Sequence, residues 1–291
     1  MNTEYIKSFL VLAKELHFWN AAAKLNLPQS TLTRRIKILE EELNVQLFER
    51  NKRNVSLTLA GSLLLEKWSD IMEQLDLLHA YASKMNNSDI GTISIGYPGS
   101  VTYTLLPDIL TSIAVMYPLV RIKLVEMMYK NTEEYLLNFK VDIALSRDIP
   151  NSSALNYRRL GSDHFAVVVP EKHSFKVVDD LKSADWSKEK FILPPLDDGS
   201  NHVQTLHEIL NFYGITPNTF YESDFGNTII SLVSKGVGIS ILPSSYSKSI
   251  VSNVRFIKLP FETTLHVIWR ESDHSKQIRK IVNGLGAYFH L

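Results

Sequence analysis

The chain has 291 residues, 45% hydrophobic and 21% charged, which is enough apolar material for about two ordinary domains and excludes bulk disorder. Its 31 Lys and Arg balance 31 Asp and Glu, so overall charge does not hold it to nucleic acid or membrane, although a local basic patch still can. Cysteine is absent, which excludes disulfides, thiolate zinc sites, iron–sulfur clusters and a cysteine nucleophile.

The first stretch reads as helix. Ile6, Phe9, Leu10, Ala13 and Leu16 recur at helical spacing between Tyr5 and Leu16. Glu4, Lys7, Lys14, Glu15 and Lys24 interrupt any signal-peptide core there, and apolar runs such as Phe165 to Pro170 are too short to span a bilayer. A soluble, cytoplasmic protein is therefore expected, with no membrane partner. Ala21, Ala22 and Leu25 mark a second, short helix, and Asn26-Leu27-Pro28 breaks it. Gln29 to Leu43 is a third helix with Leu32, Ile36, Leu39 and Leu43 inward. Between Leu16 and Leu39 stand Lys24, Arg34, Arg35 and Lys37 without an acid, so this small helical unit carries a basic face. Arg50 to Asn54 is polar and turn-like, and Val55-Ser56-Leu57 reads as a short strand. Helix, turn, helix and basic loop together give a winged helix-turn-helix over residues 1–58.

A major-groove reader needs cations for phosphates and short amide, hydroxyl and guanidinium groups near its helix start for base edges. Gln29, Ser30, Thr31, Thr33, Arg34 and Arg35 supply that set. Gln29 suits adenine, Arg34 suits guanine or a phosphate, and Thr31 suits a thymine methyl; Arg53, in the loop beyond, suits the minor groove or a phosphate.

Residues 59–88 form the next element. Thr58 is a plausible N-cap, and no proline follows before Asn87. Leu64, Trp68, Ile71, Leu75, Leu78, Ala82 and Met85 follow in steps of four and three, a seam of about three heptads that pairs with another helix. From Thr92 onward strands and helices alternate in two sets, which predicts a parallel-type α/β sheet covered on both faces, split into two lobes with a ligand cleft between them. The first lobe takes residues of about 89–161 and 266–291, and the second about 162–265.

The stretch from Phe9 to Gly61 closely resembles the DNA-binding region of LysR-type transcriptional regulators. The resemblance is carried by Phe18, Ala21-Ala22 with Leu25, and Gln29 with Leu32, Arg34 and Ile36. It continues through Leu39-Glu40, Leu43, Leu47-Phe48-Glu49-Arg50, Arg53, Leu57-Thr58 and Ala60-Gly61. It implies an α/β multidomain chain: an N-terminal winged helix-turn-helix, a long linker helix, and a C-terminal two-lobed α/β domain like a periplasmic binding protein of type 2. It also implies a double-stranded DNA operator, RNA polymerase as partner, and a homodimer that doubles into a homotetramer. The sequence departs from the family at His17 and Pro28, which usually carry a capping serine, at Ser30 and Thr33, and at Asn44, which replaces a glycine but tolerates a left-handed backbone.

In the C-terminal part, Ile95 to Ser100 followed by Leu105-Leu106-Pro107 resembles the family's first strand and turn. Ser100, Val101 and Thr102 then offer amides and hydroxyls at a helix start, which favours an anion. Asp142 to Arg147 resembles the strand that ends at the cleft, so Arg147 is expected to pair with a ligand carboxylate. Met128, His202 and Thr228 complete the expected effector set, and an anionic, aromatic or carboxylate effector follows. No cofactor or metal is expected. Ser100 is not at the centre of a nucleophile elbow, Gly236-Val237-Gly238 lacks the third glycine of a dinucleotide loop, and the nine histidines are scattered. The competing readings are a cytosolic small-molecule-binding protein without DNA regulation and an enzyme in the C-terminal lobes.

Overall fold

The computed structural model describes residues 2–50, 55–84, 92–197 and 199–288. They form two compact units, Met1–Ala80 and Tyr81–Leu291.

In the first unit, helices α1 (Thr3–Glu15), α2 (Phe18–Lys24) and α3 (Gln29–Leu43) precede an antiparallel wing of β1 (Phe48–Arg50) and β2 (Val55–Leu57), followed by the long helix α4 (Leu59–Lys84). Of the apolar stripes read from the sequence, Phe9, Leu32, Ile36 and Leu39 are fully buried here, joined by Leu12 and Leu47, whereas Leu16, at the left-handed end of α1, is 43% exposed. His17 does cap α2 despite lacking a hydroxyl, because its ring Nδ1 accepts from the Asn20 amide at 3.4 Å. Asn44 ends α3 in the left-handed conformation the sequence led us to expect.

Three residues shared with the family find a physical reason here. The Glu40 carboxylate accepts the amides of Leu47 (2.9 Å) and Phe48 (3.2 Å) and so pins the start of the wing to α3. The Thr58 hydroxyl accepts the Gly61 amide at 2.9 Å as the N-cap of α4 and donates to the Gln46 carbonyl at 2.8 Å. Gly61 lets α4 approach that strand: a Cβ there would lie 2.2 Å from the Leu47 carbonyl oxygen.

The seam on α4 needs correction. Trp68 does not face outward; it is buried in the first unit's core, edge-on to Phe9 with ring centroids 5.3 Å apart. Met72 is buried beside it, and Leu64 and Leu75 pack partly against the same core. The four-and-three spacing mixed two faces, one serving the helix's own unit. Ile71 and Leu78 stay outward, 54% and 42% exposed. Met85 lies outside the described residues, as does the expected boundary at residue 88.

In the second unit, a six-stranded sheet has the order β4-β3-β5-β10-β6-β9. Its strands are β3 (Thr92–Tyr97), β4 (Arg121–Glu126), β5 (Ile143–Ser146), β6 (Leu155–Pro170), β9 (Ser240–Pro243) and β10 (Val254–Arg270). A smaller parallel pair, β7 (Lys190–Leu193) and β8 (Asn218–Glu222), meets the residue just before β9 through a bridge between Phe191 and Ile239. The helices are α5 (Leu105–Met116), α6 (Thr132–Leu137), α7 (Val178–Lys182), α8 (Asn201–Phe212), α9 (Gly226–Ser234) and α10 (Lys276–Tyr288).

The expected parallel sheet is in fact mixed. β3, β4 and β5 are parallel, but β6 and β10 run antiparallel to each other along most of their length. These strands carry the chain into the second lobe and back, and opposite passages must be antiparallel. Only their buried ends, Phe165–Val169 and Leu265–Trp269, were legible as strands, because the half-exposed remainder lacks an apolar run. Each lobe packs its own cores: Ile95, Ile109, Ile113, Val267 and Ile281 in one, and Phe165, Phe191, Leu206, Ile209 and Ile241 in the other. In the first lobe Arg270 donates to the carbonyls of Leu136 and Val141, both at 2.7 Å, and pairs with buried Asp142 and Asp273. Its guanidinium lies 4.8 and 4.7 Å from the ring centroids of Tyr81 and Phe139, which also meet each other.

Candidate nucleic-acid interface and ligand cleft

α3 begins immediately after the Asn26–Pro28 turn, where Asn26 adopts a left-handed backbone (φ 53°) that reverses the chain within a few residues. Its inward face is filled by Leu32, Ile36 and Leu39, so the intervening positions point away from the core. Gln29, Ser30 and Arg34 are exposed and Thr31 is half-buried, all within the first two turns. Two of the expected readers also make contacts within the unit. The Thr33 hydroxyl donates to the Gln29 carbonyl at 3.0 Å, and Arg35 turns toward α1, donating to the Ser8 hydroxyl at 3.1 Å and approaching Glu4 at 3.5 Å. Arg53 lies outside the described residues. Trp19, on α2, is 67% exposed; its neighbours Ala21 and Ala22 carry the packing, so no periodicity marked it.

In the second unit, a cleft opens where the carboxyl ends of strands from both lobes converge, the usual ligand position in an open α/β sheet. Pro98, Gly99, Glu126, Met127 and Met128 line it from one lobe, and Pro194, His202, Asp224, Phe225, Gly226 and Tyr246 from the other. Met128 and His202, two of the expected effector residues, are among this lining. Thr102 and Thr228 line none of the described cavities. Ser100 is completely buried beneath the cleft, and Val101 faces a separate hollow of about 300 Å³ together with Arg147.

Arg147 differs most from expectation. It is only 5% exposed and already has a carboxylate partner, Asp163, at 2.9 Å. It also donates to the hydroxyls of Ser100 (3.1 Å) and Ser245 (3.3 Å). Asp163 in turn accepts from the Ser244 hydroxyl at 2.6 Å and the Ser245 amide at 3.2 Å. Burial works against the Asp163 charge, but Arg147 and these hydrogen bonds outweigh it and hold its pKa below the ordinary carboxylate value. This network ties the turn at Gly99–Val101 in one lobe to the turn at Ser244–Lys248 in the other. Sequence showed a cation at a strand end but not that its counter-ion sits 16 residues later on a crossing strand.

His202 stacks against Phe165 with centroids 5.2 Å apart, and burial, then the nearby Arg147 charge, pulls its pKa from 6.5 to about 3. It brings no positive charge to the cleft at neutral pH. Burial and Arg159 lower His266 in the same direction. The unfolded chain takes up these protons as pH falls through about 6.5 whereas the native His202 does not until about 3, so stability falls over that window. For His202 the loss is about 2 kcal/mol between about pH 7 and about pH 5. Urea unfolding at the two pH values should show it, and His202→Asn should remove that share while leaving the His266 contribution.

With this geometry established, comparison with known proteins defines the class. Residues 3–62 match the model for the "bacterial regulatory helix-turn-helix protein, lysR family", and residues 86–289 match the "LysR substrate binding domain". The chain belongs to the LysR family of DNA-binding transcriptional regulators. It is 28% identical to the regulator AlsR of Bacillus subtilis over 287 residues, covering 97% of this chain and 95% of that one. It is likewise 28% identical to BenM of Acinetobacter baylyi, covering 89% and 86%. Among solved structures, CbnR superposes with a TM-score of 0.73 at 21% identity over 99% of both chains, which shows the fold. CbnR bound to its target DNA gives the same score over 98% of this chain and 100% of that one. Full-length BenM follows at 0.55 and 26% identity, covering 99% and 97%. These matches favour a regulator over the enzyme reading and over a ligand-binding protein without DNA regulation. No described helix is long and apolar enough to cross a membrane.

Proposed function

We propose that two copies of this chain, paired along α4 and doubled into a dimer of dimers, place α3 helices in successive major-groove faces of a roughly two-fold operator. In this reading Gln29, Ser30, Thr31 and Arg34 read or position on the duplex, Arg53 adds a wing contact, and the protein works in the cytoplasm alongside RNA polymerase. The observation that carries it is the exposed polar face on the first two turns of α3, which the unit's own packing leaves uncovered. Thr33 and Arg35 support that face from within the unit.

The segments divide as 1–58 for DNA, 59–88 for pairing and 89–291 for the effector. A small molecule in the inter-lobe cleft changes DNA binding through its differential affinity for two assembly states. Arg147 supports an anionic effector through its buried Nη1, which has no hydrogen-bond partner among the described residues, whereas its Nη2 is held by Asp163, Ser100 and Ser245 and the cleft lining adds Glu126 and Asp224.

Footprinting on the chain's own upstream DNA tests the proposal: protection should come in half-sites about one helical turn, 10–10.5 bp, or a multiple apart. A single unpaired footprint contradicts it. Arg34→Ala should cost about 1–3 kcal/mol at one base position if it reads guanine. Competition among single-base operator variants measures this, and an equal loss on every sequence makes Arg34 a phosphate contact.

A further inference from the structure

Tyr246 stands on the short turn Ser244–Lys248 of the second lobe and is buried although it lines the cleft. Two glycines make room for it. A Cβ on Gly226 would lie 2.3 Å from the Tyr246 ring, and a Cβ on Gly99, in the opposite lobe, would lie 3.0 Å from its hydroxyl oxygen. The phenol therefore reaches from one lobe to the other through space that side chains at those two positions would occupy. Its turn is fixed at both Ser244 and Ser245 by Asp163 and Arg147, and the Gly99 turn is fixed by Arg147 through Ser100. The Arg147–Asp163 network thus holds the ring and the surface it meets. The space left beside the ring at this end of the cleft is about 30 Å³, room for about two waters. A second hollow between the same lobes, lined by Thr132, Ser146, Asp148, Ser200 and Gln204, holds about 260 Å³.

We propose that Tyr246 sets the size of the effector group that this end of the cleft accepts, admitting a short polar group and excluding an aromatic ring, because its own ring already fills that place between Gly99 and Gly226. The inference rests on the cleft being the effector site, and it bars the ring of an aromatic effector from this end of it. A polar ligand suits the remaining space, which Glu126 and Asp224 border.

The test restores the missing ring from solution. p-Cresol, the Tyr side chain as a free molecule, is titrated by calorimetry and thermal shift into the full-length wild type, Tyr246→Ala, Tyr246→Leu and Tyr246→Phe. Tyr246→Ala should bind p-cresol at least about ten-fold more tightly than the wild type, Tyr246→Leu should fall between, and Tyr246→Phe should exclude it. The leucine variant keeps apolar contact with Ile229 and Leu242, so the series remains readable if the alanine protein does not fold. Equal binding by wild type and variants overturns the proposal, as does failure of both folded smaller variants to take the ring. Operator binding read in parallel separates the two ideas. If p-cresol enters Tyr246→Ala without altering DNA affinity, the size limit stands and the regulatory role of the cleft falls.

Discussion

Arg147→Met should destabilise the second unit by about 3–5 kcal/mol, the usual cost of removing one member of a buried ion pair. Arg147 is nearly inaccessible and Asp163 is largely covered, so the carboxylate would keep its burial while losing its counter-charge. Ser100 and Ser245 would lose a shared donor at the same time, loosening the two turns that face each other across the cleft. Urea unfolding of the full-length protein, compared with that of the double variant Arg147→Met with Asp163→Leu, measures this. The double variant should recover part of the loss, because apolar residues of similar volume replace a buried pair at little net cost. A surface role for Arg147 predicts instead a change within about 0.5 kcal/mol.

The second large effect concerns α4. Ile71 and Leu78 are seven residues apart on the side facing away from the unit's core, whereas Trp68 and Met72 are buried in it. Ile71→Lys with Leu78→Lys should therefore break the pairing of chains while sparing the fold of the DNA-binding unit. A monomer engages one half-site only, and losing the linked second contact should lower operator affinity by about 10²–10⁴-fold. Sedimentation velocity and operator titration on the same samples check both parts. Trp68→Lys serves as contrast: it strikes the core beside Phe9 and should unfold the unit rather than simply dissociate it.

The contrast between these residues shows what the sequence made legible. Helical spacing located α3 to its residue limits, because its apolar positions pack on one side and Pro28 and Asn44 bound its ends. The same spacing misplaced Trp68, since a helix with partners on two sides shows one blended apolar stripe. Short buried strands such as β3 and β7 stood out as apolar runs, but β1 and the outer lengths of β6 and β10 did not, being half exposed and polar. At the cleft, Met128 and His202 were among the residues expected, although His202 stands in the first turn of α8. Tyr246 was missed because its role depends on Gly99 and Gly226, far apart in the chain and brought together only by the fold. Arg147 was found as a residue but its ion-pair partner Asp163 was not, since Asp163 becomes its neighbour only once the crossing strands pair.

The central claim is that the exposed start of α3 reads DNA in a sequence-specific way, and a salt-titrated competition assay tests it most directly. The full-length protein is titrated onto its upstream DNA against unrelated duplex at several salt concentrations. Specific binding is expected at roughly 10⁻⁸–10⁻¹¹ M near physiological salt, at least about 10³-fold tighter than to unrelated DNA, with affinity falling steeply as salt rises. Equal affinity for both duplexes, or binding unchanged by replacing Gln29 and Arg34 with alanine together, would contradict it.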